Sequence, residues 1–266
     1  MKHGLIYCVY GDPENIEPVI SPWIAAKKEF DIEISVVHGQ FKEYHELGYE
    51  DNDLETLAKL KKTDFYDHLY CQNDYWLTSR ENFRYQTEAE IRDHGAQYLL
   101  GRNCDVLMLL DNDEIYTLEE IRNIFKYIRQ RNNKGIACFS VHLKNYIFDG
   151  KQWIDGFHPP RIFRVNFGDA LRLKRCYHDN AFEYTDQDGN LIKHGDLPNK
   201  EIPRRIAHVK HLTWLHSNGK RKFEYQMRRF GACSYRWNYE THKLEFNSYY
   251  YKKRNIPFPE VYFDES

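Results

Sequence analysis

The 266-residue sequence lacks a stretch long and apolar enough to cross a membrane as a helix. Its N-terminal apolar stretch, Leu5 to Tyr10, is cut short by Gly11-Asp12-Pro13, too early for a secretory signal. No Cys-x-x-Cys pair occurs among the cysteines at 8, 71, 104, 138, 176 and 233, which excludes the common zinc and dithiol motifs. The expectation is of reduced, partly buried thiols in a cytoplasmic protein. An excess of either charge is also missing: 38 lysines and arginines face 40 aspartates and glutamates, for a net charge of −2. A dedicated nucleic-acid binder needs a basic surplus to displace counterions, so that class is excluded. Neither an internal repeat nor a linker rich in Pro, Gly or Ser divides the chain.

Hydrophobic residues are plentiful at 41%, enough for a sizeable core, and aromatics reach 16%, half of them tyrosine. Leu5–Tyr10 and Ile32–Val37 read as strands, with a helix between them over Ser21–Phe30. Residues 42–66 read as an excursion with one helix near Leu54–Lys61; His68–Cys71 reads as a short strand and Ser79–Leu100 as a helix. Val106–Leu110 is a wholly apolar central strand that runs straight into Asp111-Asn112-Asp113-Glu114. Thr117-x-x-Glu120 then forms a capping box for an amphipathic helix. Beyond residue 145 the pattern becomes short strands and loops, with a strand over Ile206–Trp214 and a helix beginning near Ser217. This β-α-β order predicts an α/β fold: a mixed central sheet flanked by helices, with a more irregular C-terminal half.

Three carboxylates at 111, 113 and 114 at the mouth of a buried strand repel one another unless a cation lies among them. A hard divalent ion, Mn²⁺ or Mg²⁺, takes oxygen ligands and offsets that repulsion. The carboxyl end of a sheet strand is also where open α/β folds bind ligands. The bland alternative is a loop that merely begins the next helix; the buried strand before it and the capped helix after it favour a site.

The stretch Val106–Glu114 resembles the apolar-strand-plus-Asp-x-Asp signature of GT-A glycosyltransferases, family 2-like, in a form ending Asp-x-Asp-Glu. Glu88-x-x-x-Arg92, Pro160-Arg161-Ile162-Phe163-Arg164, His178-Asp179 and His211-Leu212-Thr213-Trp214 follow the order of that family's later segments. Two departures stand out. His38-Gly39 replaces the aspartate that commonly ends the second strand, and His178-Asp179 replaces His-Glu.

The resemblance implies a Rossmann-like GT-A catalytic domain over residues 1–266. Residues 1–116 would bind the nucleotide-sugar, 117–216 would face the acceptor, and 217–266 would form a terminal helix and tail. The implied activity moves a sugar from a nucleotide-diphosphate sugar to a glycan, a lipid-linked glycan or another hydroxyl acceptor, with inversion, as in polysaccharide assembly. Metal ligands would be Asp111, Asp113 and His211, with His208 and His216 as competitors for the last place. The donor would lie against Tyr10, Gly11, Asp12, His38, Gly39, Arg92, Asp111 and Asn112, with Arg161 as a further phosphate partner.

Asp179 occupies the position of the base, and Asp155 and Glu183 are its alternatives. Trp76, Trp153 and Trp214 are candidates to stack on sugars, though core packing is the commoner fate of a tryptophan. Lys220, Arg221, Lys222, Arg228 and Arg229 read as a solvated basic face, the sharper alternative being peripheral contact with an anionic membrane. A non-catalytic glycan binder and an Asp-x-Asp phosphatase are the competing classes.

Overall fold

A computed structural model describes the chain except residues 41, 50–53, 73–85, 157, 179–180 and 265–266. The first half alternates strand and helix: β1 (His3–Val9), α1 (Ile16–Lys27), β2 (Ile32–His38), α2 (Lys42–Glu46), α3 (Leu54–Lys61), β3 (His68–Cys71), α4 (Glu88–Gly101) and β4 (Val106–Asp111). Next come β5 (Glu114–Ile115), α5 (Leu118–Ile128), β6 (Cys138–Ser140), β7 (His142–Phe148), β8 (Gln152–Asp155) and β9 (Pro160–Arg164). Strands β10 (Asn166–Phe167), β11 (Leu171–His178), β12 (Ala181–Thr185), β13 (Leu191–Lys193), β14 (Asn199–Glu201) and β15 (His208–Leu215) then lead into α6 (His216–Phe230). The C-terminal segment contributes β16 (Tyr235–Asn238), β17 (Lys243–Phe246), α7 (Ser248–Arg254) and β18 (Val261–Phe263).

The central sheet is mixed, in the order β14-β6-β9-β4-β1-β2-β3. Strands β4, β1, β2 and β3 are parallel neighbours, and β9 runs antiparallel to both β4 and β6. Side chains alternate across a strand, so each of these strands feeds two cores. Leu5, Tyr7 and Val9 with Val106, Met108 and Leu110 pack against α1 and α5 on one face. Ile6 and Cys8 with Leu107 and Leu109 pack against α4 and the four-stranded sheet β10-β11-β12-β13 on the other. A five-stranded sheet, β18-β8-β7-β15-β5, stands against the carboxyl end of β4 through β5. The mixed sheet flanked by helices and the more broken C-terminal half are as the sequence predicts.

Local signals explain several element ends. Thr87 caps α4 and Thr117 caps α5, each in a reciprocal box with Glu90 or Glu120. The helix expected over Ser21–Phe30 occupies Ile16–Lys27 instead, with Pro22 in its interior. Burial of Ile16, Val19, Ile20, Trp23 and Ala26 along one stripe outweighs the break that Pro22 would otherwise impose. The expected start of a helix at Ser79 falls outside the described residues. No helix among the described residues is long and apolar enough to cross a membrane.

Candidate active site

Strand β4 delivers Asp111 to the carboxyl edge of the sheet, and the next three residues point in three directions. Asn112 turns inward. Its side-chain carbonyl accepts from the Tyr7 hydroxyl at 2.5 Å, while its amide donates to the carbonyls of Gly11 at 2.9 Å and Asp12 at 3.0 Å. The turn after β1 is thereby fastened to the acidic motif. Gly11 and Asp12 both have left-handed backbone, φ 70° and 52°, and a Cβ on Gly11 would meet Arg221 Nη1 at 2.6 Å.

Two buried arginines answer the repulsion between carboxylates that the sequence predicts. Arg92 of α4 pairs with Asp111 Oδ1 and, at 2.5 Å, with Glu88. Arg161 of β9 pairs with Asp111 Oδ2 at 2.9 Å, and its Nε donates to both oxygens of the fully buried Glu114 at 3.0 and 3.1 Å. Burial pushes the Glu114 carboxyl upward against the pull of Arg161. The cations that the sequence calls for among these carboxylates include two arginines: Asp111 and Glu114 are matched by guanidinium groups.

Asp113 stands apart from them. Its Oδ2 lies 3.5 Å from His211 Nε2 and accepts from the Thr213 hydroxyl, and its backbone carbonyl accepts from Leu212 at 2.8 Å. His211 Nδ1 donates to Asn145 Oδ1 at 2.5 Å, which leaves Nε2 facing Thr213 Oγ1 at 2.6 Å. Burial opposes ionisation of Asp113, but His211, Lys222 and the Thr213 hydrogen bond outweigh it and hold the carboxyl well below the usual range. The ring nitrogen and the carboxylate both face the Thr213 hydroxyl, and in a neutral ring with its proton on Nδ1 the Nε2 lone pair turns to the same point as the carboxylate. A carboxylate and an imidazole nitrogen meeting at one point suit a divalent cation, and this N/O donor set suits Mn²⁺ better than Mg²⁺, which prefers an all-oxygen shell.

These groups line a cavity of about 800 Å³. Across it, α6 presents Arg221, Lys222, Tyr225 and Arg229. Arg221 pairs with Asp12 at 2.8 Å and lies over the rings of Tyr10 and Tyr44 at 5.7 and 5.6 Å. Tyr44 in turn stacks on Tyr10 and Tyr225, with centroids 5.8 and 4.7 Å apart. Lys222 makes no salt bridge among the described residues and lies 5.9 Å over Tyr225. Burial lowers its basicity, but Tyr44, Asp113, Glu88 and Asp111 outweigh that and keep it protonated.

The cavity gathers most of the residues named from sequence: Tyr10, Asp12, Arg92, Asp111, Asn112, Asp113, Asp155, Arg161, His211 and Trp214. Gly11 belongs to the adjoining turn. His38 and Gly39 are not among the lining residues. His38 is buried with Cys71 Sγ 3.7 Å from its ring, and a Cβ on Gly39 would meet Gln72 at 2.8 Å, so packing rather than ligand space surrounds them. Glu183 lies away from the cavity, on β12, where Arg175 donates to it at 2.8 Å.

Asp179 and Trp76 lie outside the described residues, as does the side chain of His216; His178 does reach the cavity wall. His208 sits beyond the rim, 3.5 Å from Asp155, and burial pushes its imidazole down to about 4. Trp153 stacks on Tyr262 at 4.6 Å and does not line the cavity.

Sequence reasoning missed Asn145, Thr213, Tyr44 and the inward turn of Lys222. The helical spacing of Arg221, Lys222, Tyr225 and Arg229 carried the signal for α6, because residues three and four apart share a face. Asn145 and Tyr44 left no such trace.

No family model matches the chain, and no characterised protein matches it in sequence. Among solved structures it is similar to S. aureus TarS 1-349, with a TM-score of 0.35 and 13% identity, covering 55% of this chain and 36% of that one. The same TarS fragment in complex with UDP-GlcNAc gives a TM-score of 0.32, 15% identity, and coverage of 55% and 35%. Mannosyltransferase PcManGT from Pyrobaculum calidifontis, in complex with GDP-Man and Mn²⁺, gives 0.34 and 12% identity over 62% of this chain and 44% of that one. The likeness spans less than half the length of each of these proteins.

Proposed function

We propose that this chain is a metal-dependent glycosyltransferase that uses a nucleotide-diphosphate sugar. One observation carries the reading. Just past the carboxyl end of the central strand, Asp113 and His211 bring a carboxylate and an imidazole nitrogen to one point of a cavity whose opposite wall offers the protonated Lys222. A site for a divalent ion facing a cation fits a diphosphate between them. Asp113 and His211 would hold the ion, with Asp111 beside them. When bound, it supplies Lewis-acid neutralisation of the leaving diphosphate.

The remaining work belongs to side chains. Arg92 and Arg161 hold the Asp111 carboxylate in place, so that it can accept from a ribose hydroxyl. Lys222 attracts the phosphates. The tyrosine stack Tyr10–Tyr44–Tyr225, with Arg221 over it, offers a flat wall to a nucleobase.

Transfer needs a base for the acceptor hydroxyl. Its proton passes to a carboxylate as the new C1–O bond forms, and the C1–O bond to the diphosphate breaks with its electron pair leaving on phosphate. Asp155 lines the cavity and is our choice for that base, while Asp179 keeps the place given by the resemblance. The single displacement makes the enzyme inverting; a product that keeps the donor's anomeric configuration in an NMR assay overturns that part. The acceptor is a glycan or lipid-linked glycan.

Thermal unfolding with UDP-, GDP-, CMP- and dTDP-sugars, each with and without Mn²⁺, tests the whole reading, because a ligand of the native state raises its melting temperature. One nucleotide class should stabilise wild type only with metal, and Asp113→Ala should lose the effect. If no nucleotide-sugar shifts the melt, the reading fails. Cleavage of simple phosphate esters would then favour the phosphatase class.

A further inference from the structure

We propose that His142, His158 and Glu201 form a second metal site, of the zinc class, separate from the Asp113–His211 pair. Strand pairing assembles it. Ser140 of β6 faces Glu201 of β14 on one side and Pro160 of β9 on the other. His142 lies two residues beyond Ser140, and His158 two residues before Pro160, so both imidazoles arrive beside the Glu201 carboxylate. Their ring centroids are 3.9 Å apart at 53°. His158 Nδ1 is 3.1 Å from Glu201 Oε1, and His142 Nε2 is 3.8 Å from Oε2. One donor atom from each residue falls within 4.8 Å of the others.

A tetrahedral zinc ion with bonds of about 2.0–2.1 Å needs ligand atoms about 3.3 Å apart. The observed separations bracket that value, and the adjustment falls on the movable members. The Glu201 side chain is 61% exposed and that of His158 27%, while His142 is anchored at 10%. Two imidazoles and a single carboxylate favour zinc, or Co²⁺ as its surrogate, over Mg²⁺, which prefers an all-oxygen shell. Three protein ligands leave a fourth position for water.

Arg204 is the competitor. Its Nε donates to His142 Nδ1 at 3.3 Å while its Nη2 holds Asp155 at 2.7 Å. Ligation through Nε2 moves the proton of His142 to Nδ1, so Arg204 must swing away. Its side chain is 51% exposed, so it can do so at the cost of its hydrogen bond to His142 and its pair with Asp155.

Metal-free Asp113→Asn protein, in which the acidic site is weakened, is titrated with Zn²⁺ by calorimetry in millimolar Mg²⁺. Co²⁺ is added in parallel and followed by its visible spectrum. One zinc per chain and a tetrahedral Co²⁺ band are expected. His158→Ala and Glu201→Gln in that background should each weaken binding at least tenfold with an unchanged circular dichroism spectrum, and Arg204→Ala should tighten it. Absence of a zinc isotherm, or an isotherm that neither variant weakens, overturns the proposal. Both outcomes are independent of nucleotide-sugar binding, so the transferase reading stands or falls separately.

Discussion

The Thr213 hydroxyl stands between Asp113 Oδ2 and His211 Nε2, while the other nitrogen of His211 is committed to Asn145. Asn145 is in turn held against Gly156, whose missing Cβ would lie 2.5 Å from Asn145 Nδ2 and 2.9 Å from the Leu143 carbonyl. Gly156→Ala should therefore displace Asn145 and release His211. The expected outcome is at least a tenfold loss of Mn²⁺ affinity, read by calorimetry, as for other partners that orient a ligating histidine. An unchanged affinity would remove Asn145 from the account.

Lys222 gives the complementary prediction. Lys222→Met keeps the stem over Tyr225 and deletes the charge, so nucleotide affinity should fall about 10- to 100-fold, in line with about 1.5–3 kcal/mol for a hydrogen bond to a charged group. Mn²⁺ affinity without nucleotide should change little. Equal losses of both would argue that Lys222 supports the fold of the site rather than the phosphates.

Helix α4 carries Arg92 toward Asp111 because it lies unusually close to the sheet. Gly95 makes that approach: a Cβ there would sit 3.0 Å from Val37, 3.1 Å from Ile6 and 3.2 Å from Ser35. Gly95→Val should destabilise the protein by about 1–3 kcal/mol through overpacking, measured by urea unfolding. Gly101 closes the same helix with nothing within 4 Å of its Cβ position. Gly101→Ala should instead be neutral or stabilise by up to about 1 kcal/mol, since only the entropy of the unfolded chain changes.

Elements were legible in the sequence wherever periodicity and caps agreed, as in β4 and α5. They were misread where packing overrode a local rule, as with Pro22 inside α1. In the site, Asp113 was visible as chemistry just past the end of β4, whereas His211, inside β15, was named only through the resemblance. The arginine counter-charges were named as phosphate partners, because nothing in the order of residues says that β9 inserts antiparallel beside β4 and spends Arg161 on Glu114. Asn145 was invisible for the same reason: its role comes from the parallel pairing of β7 with β15, which sets Asn145 opposite His211.

The whole molecule should lose stability in acid through its buried neutral histidines. His3 is 1% exposed and stacked on Phe125 at 3.9 Å, and burial pushes its imidazole down to about 4. The unfolded chain takes up this proton near pH 6.5 and the folded chain only near pH 4, so stability is full above pH 6.5 and declines between those values. His3 alone accounts for up to about 3 kcal/mol at about 1.4 kcal/mol per pH unit, and His208 acts in the same direction. His3→Phe should keep the stack and flatten this limb in urea melts taken from pH 7 to pH 4. An identical slope in the variant would place the acid sensitivity elsewhere.

The salt bridge between Asp12 and Arg221 joins groups 209 residues apart. During synthesis on the ribosome, the acidic motif and its arginine partners emerge well before His211, Arg221 and Lys222. A nascent chain that has released residue 165 can satisfy Asp111 and Glu114 internally, yet Asp113 still lacks Thr213 and His211, its partners on β15. On the proposed function, metal capture and donor binding wait for β15 and α6, the elements that carry His211 and Lys222 to the cavity wall.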